Sequence, residues 1–516
     1  MQLASSSLRL WINLLGAAAV VAHLVQAALS YVQMPALWRD EGPRALAFFE
    51  RLYGDLNAIA LYRLFASKEA IILSYWIPMF VASVAALVLV LILRRSGERL
   101  DGGIERLLFR WAMAFAAACF FAFPVFTQDL WLSAAWGRMV AAGVNPYHHY
   151  FTAEALAGLP LDHFPMVMSY GPGWALVSAA LTVLAGSSVA LTGILFKGLI
   201  TAAWIWSIVL VGKLTASRPL PERCLTLALF GWIPLSVTQT VAEGHNDIVM
   251  AAFVLLWLRL LLQGRVEAPL ALVASALTKY VTAPLFLIDL IVAFRRDRIG
   301  WRRYVLRLLP GALFAVAAMG LFYRSPHFFD GVRLVNEWHF LQPRDAIITI
   351  EFVTGLSLDN VAFLLQAFFP VMALYWVVVA AWSPATDNLI KAILTIMASV
   401  LFTVSAHVWP WYVLWVFVPA VLLPGWWLSR FCIGVAFMVP FMAGSWWVAP
   451  FEDHLGGSAF VLYIGAILWA VVTRPVRAAA SLGAPTASAG AEPCHAAPVS
   501  SVRTPAIEEA RASNAP

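Results

Sequence analysis

Apolar runs of membrane length, repeated from one end of the chain to the other, leave few folds open. They fall at 10–31, 70–93, 107–126, 171–186, 188–212, 224–241, 247–262, 268–294, 304–323, 359–381, 388–406, 409–424, 426–446 and 457–473. A helix needs roughly 20 apolar residues to cross the hydrocarbon layer, and many of these runs reach that. Backbone groups in lipid must be satisfied within the spanning structure, which leaves helices or a closed barrel. A barrel would show alternating segments of about ten residues, and the sequence lacks them. Composition agrees: 62% of residues are hydrophobic and 12% charged, about half the charge of a typical soluble domain. The predicted fold is all-α and polytopic, with about 13 transmembrane helices. Residues 1–106 read as an N-terminal two-helix membrane segment, 107–425 as a catalytic membrane core and 426–477 as C-terminal membrane helices. The Ala-, Pro- and Ser-rich tail 478–516 reads as disordered.

The net charge of +6 is read as cytoplasmic Lys and Arg, with the lipid bilayer as partner and no nucleic acid. The basic loops 94–106, 212–223, 263–265 and 295–303 are predicted on the cytoplasmic side of the cytoplasmic membrane. Loops 127–170, 324–345 and 450–456, and residues 244–247, then face the periplasm or exterior. Both flanks of 268–294 are basic, so it should be a hairpin of two half-helices with Lys279 near its outer tip. Such a turn needs shelter from lipid. Between 171 and 212, two apolar runs stand where an odd number of crossings is required. Either one run lies flat or one basic loop is misassigned. The run 10–31 follows Arg9 and reads as an uncleaved anchor. The four cysteines, Cys119, Cys224, Cys432 and Cys494, show neither disulfide nor metal spacing. The 23 Trp and 13 Tyr fit interfacial belts and also sugar-stacking surfaces.

Three polar clusters stand at the edges of apolar runs. The first is TQDLWLSAAWGRMVAAGVNPY, directly after 107–126. Trp136, Met139 and Val140 recur at helical spacing, and Gly143 with Asn145-Pro146 ends the pattern, predicting an amphipathic interfacial helix. Asp129 in its first turn is either a helix cap or a base placed where lipid-borne and water-borne reactants meet. The second cluster is EGHND (243–247), where Asn246 or Asp247 could cap the next helix. Alternatively His245, Asn246 and Asp247 line a pocket that binds sugar hydroxyls, phosphate or a divalent ion. The third is ALTKYVTAP, where Lys279 deep in apolar sequence suggests a phosphate anchor, with Tyr280 beside it. Lys197 is similarly placed and either points to the same cavity or snorkels. Tyr170, in SYGPGW, and His407, in AHVWPWYVLW, read as belt residues or sugar contacts. Glu154, Asp162, Asp330, Glu337 and His339 read as ordinary loop residues, and His148-His149 not as a metal pair.

In this order the pieces resemble the polytopic GT-C glycosyltransferases, most closely the polyprenyl-phosphate-mannose-dependent α-mannosyltransferases of bacterial envelopes. The resemblance rests on Asp129, Trp136-Gly137-Arg138 and Asn145-Pro146-Tyr147, then Tyr170-Gly171-Pro172, Gly244–Asp247, Thr278-Lys279-Tyr280 and His407–Tyr412. It covers roughly 107–425. It implies a GT-C-like fold with an outward cavity and an inverting hexosyl transfer. Mannose is the expected sugar, passing from a polyprenyl-phosphate donor to a glycan or glycolipid acceptor. The family's catalytic acid maps onto Asp129. The expected substrate-binding set is Lys279, His245, Asp247, Asn246, Tyr170, Tyr280, Arg138 and His407. Gln128-Asp129 is not the paired-acid motif of some relatives, so a divalent cation is left open and no other cofactor is expected. Two further readings compete. Lys197, Lys279 and Asp289 could mark a transporter or flippase path, although no internal repeat supports one. An envelope glycan ligase or polymerase would need a wider acceptor path.

Overall fold

The computed structural model describes residues 5–37, 43–65, 67–97, 100–161, 166–324, 326–336, 341–442 and 455–474. Asp162, Glu337, His339, Cys494, residues 450–454 and the tail 478–516 lie outside the described residues. Within them the regular structure is helical, with no strand. The helices used below are α1 (Ser5–Leu37), α2 (Lys68–Ser96), α3 (Gly102–Phe120), α4 (Asp129–Ala141), α5 (Pro172–Ala185), α6 (Val189–Leu214) and α7 (Leu220–Trp232). They continue as α8 (Asp247–Leu262), α9 (Ala268–Thr278), α10 (Trp301–Phe322), α11 (Asp359–Trp382) and α12 (Thr386–Ser399).

The protein is an all-α, multi-pass membrane protein. Six helices among the described residues are long and apolar enough to cross: Ser6–Leu37, α2, α6, α10, α11 and Thr386–Val404. A seventh crossing is made if α7 and Pro234–Ala242 are taken together, bent by 56° where Pro234 lacks the donor a straight helix needs. The expected figure of about 13 is therefore not reached by length alone. Several apolar runs are instead broken into helices too short to cross, such as α5, α9, Pro410–Val421 and Trp427–Phe441. Apolar length in the sequence counts residues and does not see these breaks.

Contacts between the basic loops define one end of the bundle. Asp101 caps α3 through the amides of Gly103 and Ile104 and pairs with Arg9 at 2.8 Å. Glu105 pairs with Arg223 at 2.6 Å, and Arg218 reaches Asp387 at 3.1 Å. Arg295 donates to Ala381 O, Arg296 to Leu262 O and Arg307 to Arg265 O. From this end α3 runs 19 residues, roughly 28 Å at the α-helical rise, to the end where the chain turns into α4.

Both ambiguous stretches resolve. The start of 268–294 and its end lie together at the basic end, since Arg296 Nη2 is 3.2 Å from Leu262 O. Its middle reaches the opposite end, where Lys279 meets the first residue of α8. It is the expected hairpin, broken at Lys279 by an extended backbone (φ −151°, ψ 121°). In 171–212, α5 does not cross. It starts beside Asp129 and runs along α4, with Trp174 Nε1 donating to Ser133 Oγ at 3.0 Å. Gly137 lies so close to the Ser178 carbonyl that a Cβ would overlap it. α6 then starts at the same end, because Lys197 donates to the Cys119 carbonyl in the last turn of α3.

One hydrophobic core runs from Leu8 to Trp469, across all the membrane portions distinguished in the sequence. Trp136, Trp174, Trp204 and Trp257 are fully buried in it rather than placed in a belt. α4 differs from the amphipathic surface helix expected: Leu130, Trp131, Ser133–Gly137 and Met139 are all buried, because α5 covers it. Leu306, Leu313 and Val316 of α10 and Phe363, Leu364 and Val371 of α11 are exposed apolar side chains, as lipid-facing surfaces require. Cys119, Cys224 and Cys432 are free and buried.

Candidate functional site

Five stretches of chain meet at the end opposite the basic loops. Residues 122–128 form an irregular linker that delivers Asp129 to the first turn of α4, where its amide donates to Thr127 Oγ1 at 3.0 Å. Asp129 Oδ2 accepts the Tyr170 hydroxyl at 2.8 Å and lies 3.2 Å from His245 Nδ1. Among the described residues nothing donates to Oδ1, and 18% of the Asp129 side chain stays exposed. Burial by itself would raise this carboxyl. The hydrogen bond and charge of His245, the Tyr170 hydroxyl and the Lys279 charge outweigh it and hold Asp129 below the ordinary carboxylate range. Tyr170 is driven well above its usual value, first by burial and then by the Asp129 charge, so it remains a donor.

Gly244 brings His245 to this point. Its φ of +84° favours glycine, and an added Cβ would come within 2.6 Å of Leu130. The His245 ring lies flat on Trp411, with centroids 4.0 Å apart and planes within 15°. Asp247, the first residue of α8, is fully buried. Its Oδ1 accepts Lys279 Nζ at 2.7 Å and Trp415 Nε1 at 2.5 Å. The Lys279 ammonium is enclosed by the rings of Tyr412, Tyr170 and Trp415, at 4.3, 5.2 and 5.3 Å from their centroids. Gly171 docks this group together, its amide donating to Thr278 O at 3.0 Å. His245 Nε2, both polar side-chain atoms of Asn246, and Asp247 Oδ2 are buried without a protein partner. They are groups that a polar ligand could satisfy.

Asp129, Tyr170, His245, Asp247 and Lys279 thus form one contiguous cluster, with Asn246 in the same stretch. Three other expected residues point elsewhere. Arg138, at the last turn of α4, spends Nη1 on Ala155 O and Ala157 O at 3.2 and 2.7 Å and braces the following loop. His407 is fully buried behind Tyr412, at 5.3 Å between rings. Tyr280 packs toward Phe329, at 5.7 Å. Lys197 is no cavity cation. It donates to the carbonyls of Cys119, Ala122 and Ala242. Asp289 accepts from Trp257 Nε1 at 3.0 Å, so Lys197, Lys279 and Asp289 have separate partners and trace no common path. Trp411, Tyr412 and Trp415, read from sequence as belt residues or sugar contacts, pack directly on the His245 ring and the Lys279 ammonium. Glu243 was not singled out either; its carboxylate holds the linker amides of Val125 and Phe126. Among the described residues, no three His, Cys, Asp or Glu side chains group closely enough to hold a metal ion.

Residues 55–296 match the profile of the alpha-(1->6)-mannopyranosyltransferase family, N-terminal domain. That match, over somewhat less than half of the chain, supports a mannosyltransferase of the GT-C type. The matched stretch contains Asp129, Tyr170, His245, Asp247 and Lys279. Trp411 and Trp415, which close the cluster, lie beyond the matched residues. No curated protein and no solved structure matches the chain.

Proposed function

We propose that the protein transfers mannose, with inversion, from a polyprenyl-phosphate donor to a hydroxyl on a glycan or glycolipid, and that Asp129 is the base. The observation that carries this reading is the division of labour on one carboxylate. Oδ2 is held by Tyr170 and His245, which leaves Oδ1 to take the acceptor proton. In the step, the acceptor oxygen bonds to the anomeric carbon as its proton passes to Asp129. The bond from that carbon to the phosphate oxygen breaks, and the electron pair leaves with the polyprenyl phosphate. The leaving group needs no proton, so one carboxylate is enough. Inversion at a β-linked donor gives an α-linked product, and α-(1→6) is the linkage for which the matched family is named.

The departing phosphate gains negative charge and needs positive partners. Lys279 is assigned that role, with Asp247 and Trp415 fixing its position. Asn246 and Asp247 Oδ2 are assigned to sugar hydroxyls. We place the site on the non-cytoplasmic face of the cytoplasmic membrane, supported by the basic loops gathered at the opposite end. The deciding experiment incubates the purified full-length protein with polyprenyl-phosphate mannose, glucose and galactose and a glycan acceptor. Product linkage and released polyprenyl phosphate are followed together. Lipid moved across vesicles without release of polyprenyl phosphate would instead indicate a flippase.

A further inference from the structure

Two ionisable residues with no part in that chemistry sit directly behind it. Glu243 and Lys197 are both buried, with 3% and 6% of their surface exposed. Glu243 Oε2 accepts the amides of Val125 at 3.0 Å and Phe126 at 3.3 Å. Lys197 Nζ donates to the carbonyls of Cys119 at 3.4 Å, of Ala122, and of Ala242 at 3.1 Å. The two stretches of chain they bind are those that carry the catalytic pair. One leads from the end of α3 to Asp129, three residues after Phe126; the other leads to His245, two residues after Glu243. The carboxylate reaches from the second stretch to donors of the first. The ammonium, from α6, binds acceptors of both. Residues 122–126 have no helix or strand of their own to fix them. Burying ionisable side chains is expensive, and apolar packing of similar volume is often as stable. The placement therefore asks for a role that stability alone does not supply.

We infer that Glu243 and Lys197 are positioning residues that brace the Asp129 and His245 stretches against each other and so set the 3.2 Å approach of the imidazole to the carboxylate. The inference rests on Asp129 being the base. Neither residue touches the substrate or moves a proton. Their effect is on where Oδ1 points when the acceptor arrives.

The test compares Glu243→Gln with Glu243→Asp in the full-length protein, reading kcat and the donor KM. Both amide bonds converge on a single oxygen, so the glutamine carbonyl oxygen can keep them, and kcat should stay within about 3-fold of wild type. Aspartate keeps the charge but withdraws the acceptor by one methylene. Misplacement by about 1 Å is expected to lower kcat by about 100-fold, with the donor KM changed less than about 2-fold. A role through charge alone would give the reverse order. Wild-type kcat in the aspartate variant, or equal losses in both variants, overturns the bracing. Should the aspartate variant not fold, Lys197→Met removes the bonds from the other side and is read in the same way. Asp129→Asn keeps the two readings apart. If it is active, the base assignment fails whatever the Glu243 variants do. If it is inactive while Glu243→Asp and Lys197→Met turn over normally, only the bracing fails.

Discussion

Asp247→Ala should unfold the site before it alters the chemistry, and the size of the effect follows from burial. Asp247 is fully buried, Lys279 retains 7% side-chain exposure, and the two meet at 2.7 Å. Removing one member of such a pair leaves a buried ammonium uncompensated, at a cost of about 3–5 kcal/mol. The three surrounding rings are present with or without Asp247, so their attraction for the ammonium offsets none of that difference. Trp415 also loses its acceptor, and its buried N–H adds about 1 kcal/mol. Equilibrium unfolding in mixed micelles should therefore show a loss near the whole stability of a marginal membrane domain. Asp247→Leu combined with Lys279→Met removes both charges, and should recover to within about 2 kcal/mol of wild type, because an apolar replacement of a buried pair is close to neutral. That double variant should bind donor weakly and turn over negligibly. A loss below about 1 kcal/mol in Asp247→Ala, the size seen for solvated pairs, would refute the enclosed-pair argument and with it the assignment of Lys279 to phosphate.

Asp129→Asn should lower kcat by about 10²–10⁴-fold while donor binding persists, measured by product formation alongside donor equilibrium binding. Tyr170→Phe removes a donor that helps hold Asp129 in its charged form. A base works deprotonated, so the acid limb of kcat/KM should move to higher pH in this variant. An unmoved limb would detach Tyr170 from the titration of Asp129. Gly171→Ala would place a Cβ on the Leu277 carbonyl. It should separate Tyr170 from Lys279, lowering both thermal stability and donor affinity. Gly244→Ala forces an alanine to a φ of +84° against Leu130, and should cost about 1–3 kcal/mol, read by the same unfolding assay.

Much of the site was legible because ionisable residues are rare and costly in apolar sequence. Lys279 stood out in ALTKYVTAP, and the basic flanks of 268–294 required the turn that carries it. Asp129 was found by its place after a membrane-length run. The roles of Trp411, Tyr412 and Trp415 were not legible, since an aromatic packed on an imidazole or an ammonium has the same composition as one at the lipid interface. Arg138 misled because a helix position fixes where a side chain starts and not where its guanidinium ends. α5 is as apolar as a crossing helix, but it is 14 residues long and packs along α4. Glu243 was hidden by its neighbours: next to Gly244–Asp247 it read as part of a polar turn, while its partners are amides that no sequence pattern marks.

The returning segment 268–294 has a consequence for how the chain is assembled. Since it enters and leaves at the same end, it adds nothing to the tally of crossings, and every later helix would keep its orientation without it. A reporter fused near residue 300 should thus give the same sidedness in the intact chain and in a deletion of 268–294, even though the deletion discards Lys279. Insertion and activity become separable at this one stretch: it can be laid in after its neighbours on either side have already been threaded.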